Sequence, residues 1–336
     1  MHAYTKTKAC LERLVNEHVV PGMSYALLDG TEVDQRVLGA ASWWPQRETL
    51  QPNMLYDLAS LTKVVGTTTA LMQLVEQDRV SIDDTLTKFV PAWQDTRVTL
   101  RDLLTHTSAI GGFIPHRNEL SADQLRAALL QLPVGPGFEQ RDHYTDIGLI
   151  FIGYILENVY QQPVQTVITQ QVLRPLGLTT ATFTPKSKQC VPTELQPTGL
   201  LRGRVHDPKA AILGAHCGSA GLFASLADLI KFSQWFLSDD DRVLSAKSRD
   251  LLQTDQTPQR NLGRSLGWNL LAASDNSHLV SFHTGFTGTI LILDRVTHQG
   301  AICLTNRVHP TQQNQRFIKW RPDFYRTFLN EAARIS

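Results

Sequence analysis

Strand-patterned text stands near both ends of this 336-residue chain, and a helical block separates the two. Near the start, "GMSYALLDG" and "EVDQRVLGAAS" read as two strands joined at Asp29-Gly30, a dipeptide suited to a tight turn. Near the end, "LGWNLLAAS", "HLVSFHTG", "TGTILILDRVT" and "GAICLTNRV" read as four more, before a closing helix over about 322 to 334. Between them, from about 97 to 200, "TLRDLLTHTS", "SADQLRAALLQL", "DIGLIFIGYILENVY" and "PVQTVITQQVLRPLGL" are helical patterns separated by Gly/Pro breaks. Ser121 is placed to cap the second of these, and Gly177 to end the last. The order predicts an α/β (α+β) fold, an antiparallel sheet flanked by helices and assembled from both termini. Residues 1–90 and 205–336 would form that lobe, and 91–204 an inserted all-helical lobe. A ligand site is expected in the cleft between them.

Charge narrows the partner. Lys and Arg number 32 against 31 Asp and Glu, a net charge of +1, and no basic run forms an arm. That argues against nucleic acid and for a small-molecule or short-peptide substrate. Cys10, Cys190, Cys217 and Cys303 are widely spaced and form no C-x-x-C pair, so free thiols are expected. No apolar run reaches the roughly 20 residues of a membrane span, and the N-terminal text lacks a signal-peptide core. The expectation is a soluble, cytoplasmic protein.

Chemistry enters at "DLASLTKVVGTTTALMQLVEQ", residues 57–77, where Ser60 stands three residues before Lys63 at the start of an apolar helical pattern over Leu61–Gln77. Residues three apart share a helix face, so the amine lies beside the hydroxyl. A serine attacks only when a base takes its proton. Burial and a helix N-terminus both favour a neutral lysine that can do so. A chain of this length carries about one S-x-x-K by chance, so the spacing alone decides little. Two further motifs add weight. Tyr144 and Asp146 form "YTD" just ahead of the apolar helix, either a proton-shuttle site or an ordinary capping turn. "FHTGFTGT" at 282–289 joins two strands, either a glycine turn or a place where substrate meets backbone.

"ASLTK", "YTD" and "HTG" resemble, in order, the S-x-x-K, Y-x-N and K-T-G motifs of the serine β-lactamase and penicillin-binding DD-peptidase superfamily. The similarity is to the branch near class C β-lactamases, DD-carboxypeptidases and related esterases. "VTLRDLLTHTS", "HCGSAGLFASLADLIKF" at 216–232 and "SLGWNL" at 265–270 extend it over residues 10–330. The resemblance implies a β-lactamase/transpeptidase-like fold and a serine hydrolase with no metal or organic cofactor. It makes Ser60 the acylated nucleophile, Lys63 its activator and Tyr144 the proton carrier. The N–H groups of Ser60 and Phe286 would form the oxyanion hole. Asp146, His283, Thr284 and Gly285 would line the substrate site.

Asp146 stands where the family has Asn, and an ionised acid cannot donate a hydrogen bond. It could instead pair with Lys63 and hold it charged, leaving Tyr144 as the main base. His283 replaces the motif's lysine, which predicts activity changing across roughly pH 6–8 as the imidazole titrates. Asn306 and Arg307 on "CLTNR" either bind a substrate carboxylate or form a strand-end surface pair. "RVHDP" at 204–208 reads as a turn. "GRSLG" at 263–267 matches a nucleophile elbow, but no strand precedes Ser265 and no helix follows. His106, His116 and His143 match no metal-ligand spacing, and His106 reads as structural. The favoured activity is an esterase or small peptidase, with β-lactam turnover possible. The alternative is a catalytically weak module that senses penicillin-like or peptidoglycan ligands in the same cleft.

Overall fold

Apolar side chains buried on both faces assemble the sheet. The computed structural model describes residues 4–333. Its main strands are β1 (Gly22–Asp29), β2 (Glu32–Ser42), β3 (Glu48–Thr49), β4 (Asn269–Ala272), β5 (Leu279–Thr284), β6 (Ile290–Asp294) and β7 (Gln299–Thr305). They form one seven-stranded sheet in the order β3-β2-β1-β7-β6-β5-β4. Every neighbour pair is antiparallel. The two ends of the chain meet at its centre, where Met23 lies opposite Thr305 and Asp29 opposite Gln299.

Successive side chains on a strand point to opposite faces. Met23, Tyr25 and Leu27 of β1 therefore join Ile290, Ile292, Ala301 and Cys303 in one core. Ala26 and Leu28 join Leu291, Leu293, Ile302 and Leu304 in the other. Helices α1 (Thr5–Asn16), α2 (Ile147–Tyr160), α3 (Leu226–Leu237) and α4 (Gln315–Ala332) set the layers. α1 and α4 cover the first face, through Leu11, Leu14 and an aromatic row at Phe317, Trp320, Phe324 and Phe328. α3 covers the second. The closing helix begins at Gln315 rather than near 322, because Asn314 caps it by accepting from the Phe317 N–H at 3.2 Å. Pro322 lies inside it. The expected end at 334 falls outside the described residues.

The helical text folds as expected with local changes. Ser121 caps Ala122–Leu130 in a reciprocal capping box. "TLRDLLTHTS" yields only Leu100–Leu104, since His106 adopts a left-handed φ of 59°. Val164–Ile168 continues through wide π-turns at Thr169–Leu173, and Gly177 follows with φ 65°. α2 is buried on all sides from Ile147 to Leu156. Its second residue is Gly148 because a Cβ there would run into the Leu103 carbonyl. The helix after Ser60 opens with a π-helical stretch at Lys63–Thr68 before regular turns at Thr69–Glu76. Such wide turns often fall at functional sites. Cys10, Cys190, Cys217 and Cys303 are all free. Among the described residues no helix is long and apolar enough to cross a membrane.

Candidate active site

Asp57 builds the turn that carries Ser60. It ends a short strand, Tyr56–Asp57, paired with Phe223–Ala224. Its buried carboxylate accepts from the Ala59 N–H at 2.9 Å and the His206 N–H at 2.7 Å. Burial pushes that carboxyl up to about 6, against the pull of the two donors. Ala59 is held at φ 46°, an uncommon conformation for a residue with a Cβ, immediately before the serine. The loop after β5 clamps the same turn from the other side. Thr287 Oγ1 donates to the Asp57 carbonyl at 2.7 Å, and Thr289 Oγ1 to the Leu58 carbonyl at 3.0 Å. Gly285 lies so close beneath that any Cβ would meet Leu58 and Thr289.

Lys63 is completely buried beside Ser60. Its Nζ donates to Ser60 Oγ at 2.7 Å, Asp146 Oδ1 at 2.7 Å and the Ser219 carbonyl at 3.0 Å. Three acceptors match the three hydrogens of an ammonium, leaving no lone pair. Burial opposes that charge, but the Asp146 carboxylate and the Tyr144 phenol outweigh it and hold the amine above its ordinary value. A partly neutral Lys63, the simplest expectation from S-x-x-K, is therefore corrected to a charged one. Asp146 is the residue before α2, yet its carboxylate turns to the lysines instead of capping the helix. Its Oδ2 lies 2.8 Å from Lys209 Nζ. Burial would raise its pKa, but Lys63 and Lys209 together hold it well below the usual carboxylate range.

Tyr144 is partly exposed, and the ring is flanked by cations. Lys63 Nζ lies 5.4 Å and the Arg264 guanidinium 5.5 Å from its centroid. The His106 ring lies 4.6 Å away and the His283 ring 6.0 Å. His106 is buried and structural as expected: its carbonyl accepts from the His143 N–H at 2.9 Å, fixing the loop ahead of "YTD". Ser60, Tyr144, Asp146, Thr284, Gly285 and Phe286 all face one cavity of about 660 Å³. Arg307, Arg321, His206 and Glu194 line its far side.

Two expected substrate contacts are corrected. His283 is buried, with Nδ1 3.1 Å from the Thr284 carbonyl and Nε2 without a hydrogen-bond partner. Burial, then Lys63 and Arg264, bring its pKa down to about 3. It is neutral throughout pH 6–8, so the expected titration there does not occur. Asn306 is also buried, its Nδ2 donating to the carbonyls of Ala41 at 2.9 Å and Pro192 at 2.7 Å. It braces the cleft wall. Its neighbour Arg307 does reach the cavity, where its guanidinium sits 4.5 Å above the Phe286 ring and donates to the Phe286 carbonyl at 2.7 Å. His206 stacks on the same ring at 5.5 Å. Ser265 is buried and donates to the Leu251 carbonyl at 3.2 Å, away from any nucleophile position. Among the described residues no group of three or more His, Cys, Asp or Glu side chains could hold a metal.

Asp57, Ser219, His206 and Lys209 also contribute to the site, although no motif marks them. "RVHDP" reads as a turn, and it is one, but its backbone ties to Asp57 and the following Lys209 to Asp146. Only "HCGSAGLF" carried a signal, since it lies within the family-like text that supplies the Ser219 carbonyl.

A family model described as Beta-lactamase matches residues 7–319, nearly the whole chain. The chain belongs to the beta-lactamase family. It is a serine hydrolase of that fold. A relative from Escherichia coli (strain K12), provisionally named a D-alanyl-D-alanine carboxypeptidase, is 30% identical over 307 residues, covering 76% of this chain and 69% of its own. Among solved structures, EstCE1, a hydrolase with promiscuous acyltransferase activity, superposes with a TM-score of 0.75 at 17% identity, covering 97% of each chain. A class C beta-lactamase from Rhodobacter sphaeroides gives 0.73 at 17% identity, covering 95% of this chain and 98% of its own. At that identity both speak to the fold of a beta-lactamase family member and not to its substrate.

Proposed function

We propose that Ser60 is the acylated nucleophile of an esterase or small peptidase acting on a small-molecule or short-peptide carbonyl. The observation that carries this reading is the buried Lys63 ammonium, hydrogen-bonded at once to Ser60 and to Asp146. With Lys63 charged, Tyr144 is the group left to accept the Ser60 proton. Ser60 Oγ attacks the substrate carbonyl carbon, and the carbonyl π-electrons move onto oxygen. The N–H groups of Ser60 and Phe286 would receive that charge, and before the attack Lys63 steadies the phenolate form of Tyr144 that takes the proton. Collapse expels the leaving alcohol or amine, protonated by Tyr144. Water, deprotonated by the same tyrosine, then releases the acid and restores Ser60.

The lobe division of 1–90 with 205–336 against 91–204 belongs to the same proposal. It is supported by a sheet drawn from both termini, and by Ser60 and Tyr144 arriving at the cleft from different segments. The four free cysteines favour a reducing compartment, hence the cytoplasm. Arg307 and Arg321 favour a substrate with an anionic end. Parallel turnover of p-nitrophenyl acetate, nitrocefin and a D-Ala-D-Ala peptide tests the activity. At least one is consumed by the native enzyme and not by Ser60→Ala. Equal turnover by Ser60→Ala would overturn the assignment. The sensor reading gains from the same charged Lys63, and predicts one acylation per chain without turnover.

A further inference from the structure

Lys209 lies on the six-residue helix Pro208–Leu213, capped by Asp207, whose Oδ1 accepts from the Ala210 N–H at 2.8 Å. A cation in the first turn of a helix is opposed by the helix dipole, so local stability does not explain a lysine there. The side chain is nonetheless largely buried. Its Nζ lies 2.8 Å from Asp146 Oδ2 and 3.3 Å from Asp207 Oδ2. Asp146 thus presents one oxygen to each lysine, Oδ1 to Lys63 and Oδ2 to Lys209.

Resting on the reading of Ser60, Lys63 and Tyr144 given above, we propose that Lys209 is a positioning residue that acts through Asp146. It fixes the carboxylate rotamer that reaches Lys63 and shares the Asp146 charge, and so sets the pH range over which Ser60 becomes reactive. The reason is electrostatic. A carboxylate serving Lys63 alone would bind its proton more firmly, and the proton held between Lys63 and Tyr144 would leave only at higher pH. A second ammonium a carboxylate's width away offsets part of that pull. Asp207 in turn offsets part of Lys209. Among the described residues, the other charged or titratable groups facing this chain are Arg264, His106 and His283 around Lys63, Arg117 near Lys209, and Asp57 and Cys217 near Asp207. Both histidines are held neutral by burial, so they leave the balance to Lys209 and Asp207.

The test is the rate of Ser60 phosphonylation by a fluorophosphonate, followed by intact mass across pH. In this step Ser60 Oγ forms a bond to phosphorus, fluoride leaves with its electron pair, and the serine proton passes to Tyr144. Lys209→Met should move the rising limb upward by roughly one pH unit, slowing labelling near neutrality by about tenfold. Lys209→Arg should restore it, and Asp207→Asn should move the limb the other way. A Lys209→Met profile with the native midpoint, lowered only in height or in thermal stability, would overturn the proposal. If that variant fails to fold, Asp207→Asn decides, and an unmoved limb overturns it. Labelling of Ser60→Ala at the native rate would instead sink the nucleophile assignment itself, separating the two failures.

Discussion

Replacing Asp146 by Asn keeps the side chain's size and removes its charge. At 2.7 Å from Lys63 Nζ, the Coulomb attraction is about 6 kcal/mol at an effective dielectric near 20. That corresponds to about 4.5 pKa units in favour of the ammonium. Complete burial of a lysine works the other way by up to about 3–5 units. The two nearly cancel, and the neighbouring phenol leaves Lys63 above its ordinary value. In Asp146→Asn the burial cost remains, and Lys209 adds repulsion. The Lys63 amine then falls by several units, into the range where it can itself take the Ser60 proton. Fluorophosphonate labelling followed by intact mass should show the rising limb moved to lower pH by at least about 2 units. Lys63 loses its counter-charge and Lys209 keeps only Asp207, so urea unfolding should show a stability loss of about 1–3 kcal/mol. An unmoved limb in correctly folded Asp146→Asn would refute the argument that this carboxylate holds Lys63 charged.

His283→Gln should leave the shape of the activity profile unchanged over about pH 6–8, because the imidazole is already neutral there. Its folded pKa of about 3 lies below the unfolded value. The contribution to stability is thus complete above about pH 6.5 and is lost as pH falls from there toward about 3, by about 1.4 kcal/mol per unit. His283→Gln should flatten the stability curve across that window, as chemical denaturation at stepped pH would record. Phe324 is fully buried and stacks on Trp320 at 5.0 Å between ring centres. Phe324→Ala should cost about 3–5 kcal/mol by urea titration while the surviving folded protein keeps its labelling rate.

The sheet was legible because its strands alternate between two cores, as Ile290 to Leu293 do with successive side chains to opposite faces. The central helix was legible because Ile147 to Leu156 is apolar all round. The motifs of Ser60, Lys63 and Tyr144 stood out in the sequence because they occur in a fixed order, and the fold places Ser60 and Tyr144 on one cavity with Lys63 buried behind Ser60. Position-specific electrostatics were not. The letters of "HTG" give a histidine, and only its burial between Lys63 and Arg264 reveals that it stays neutral. Asn306 and Arg307 are adjacent on one strand end, and nothing local tells which turns inward to backbone carbonyls and which meets the cavity. Asp57 meets His206 and Lys209 meets Asp146 across long stretches of sequence, so no spacing rule marks either contact. α4 starts earlier than about 322 because the Asn314 cap opens it at Gln315 and the helix continues through Pro322.

The central claim is a covalent bond at Ser60. Intact mass after brief incubation with a fluorophosphonate, followed by peptide mapping, tests it most directly. The account predicts one adduct per chain, located on the peptide carrying "ASLTK" and missing in Ser60→Ala. An adduct on any other residue, or an equal adduct in Ser60→Ala, would contradict it.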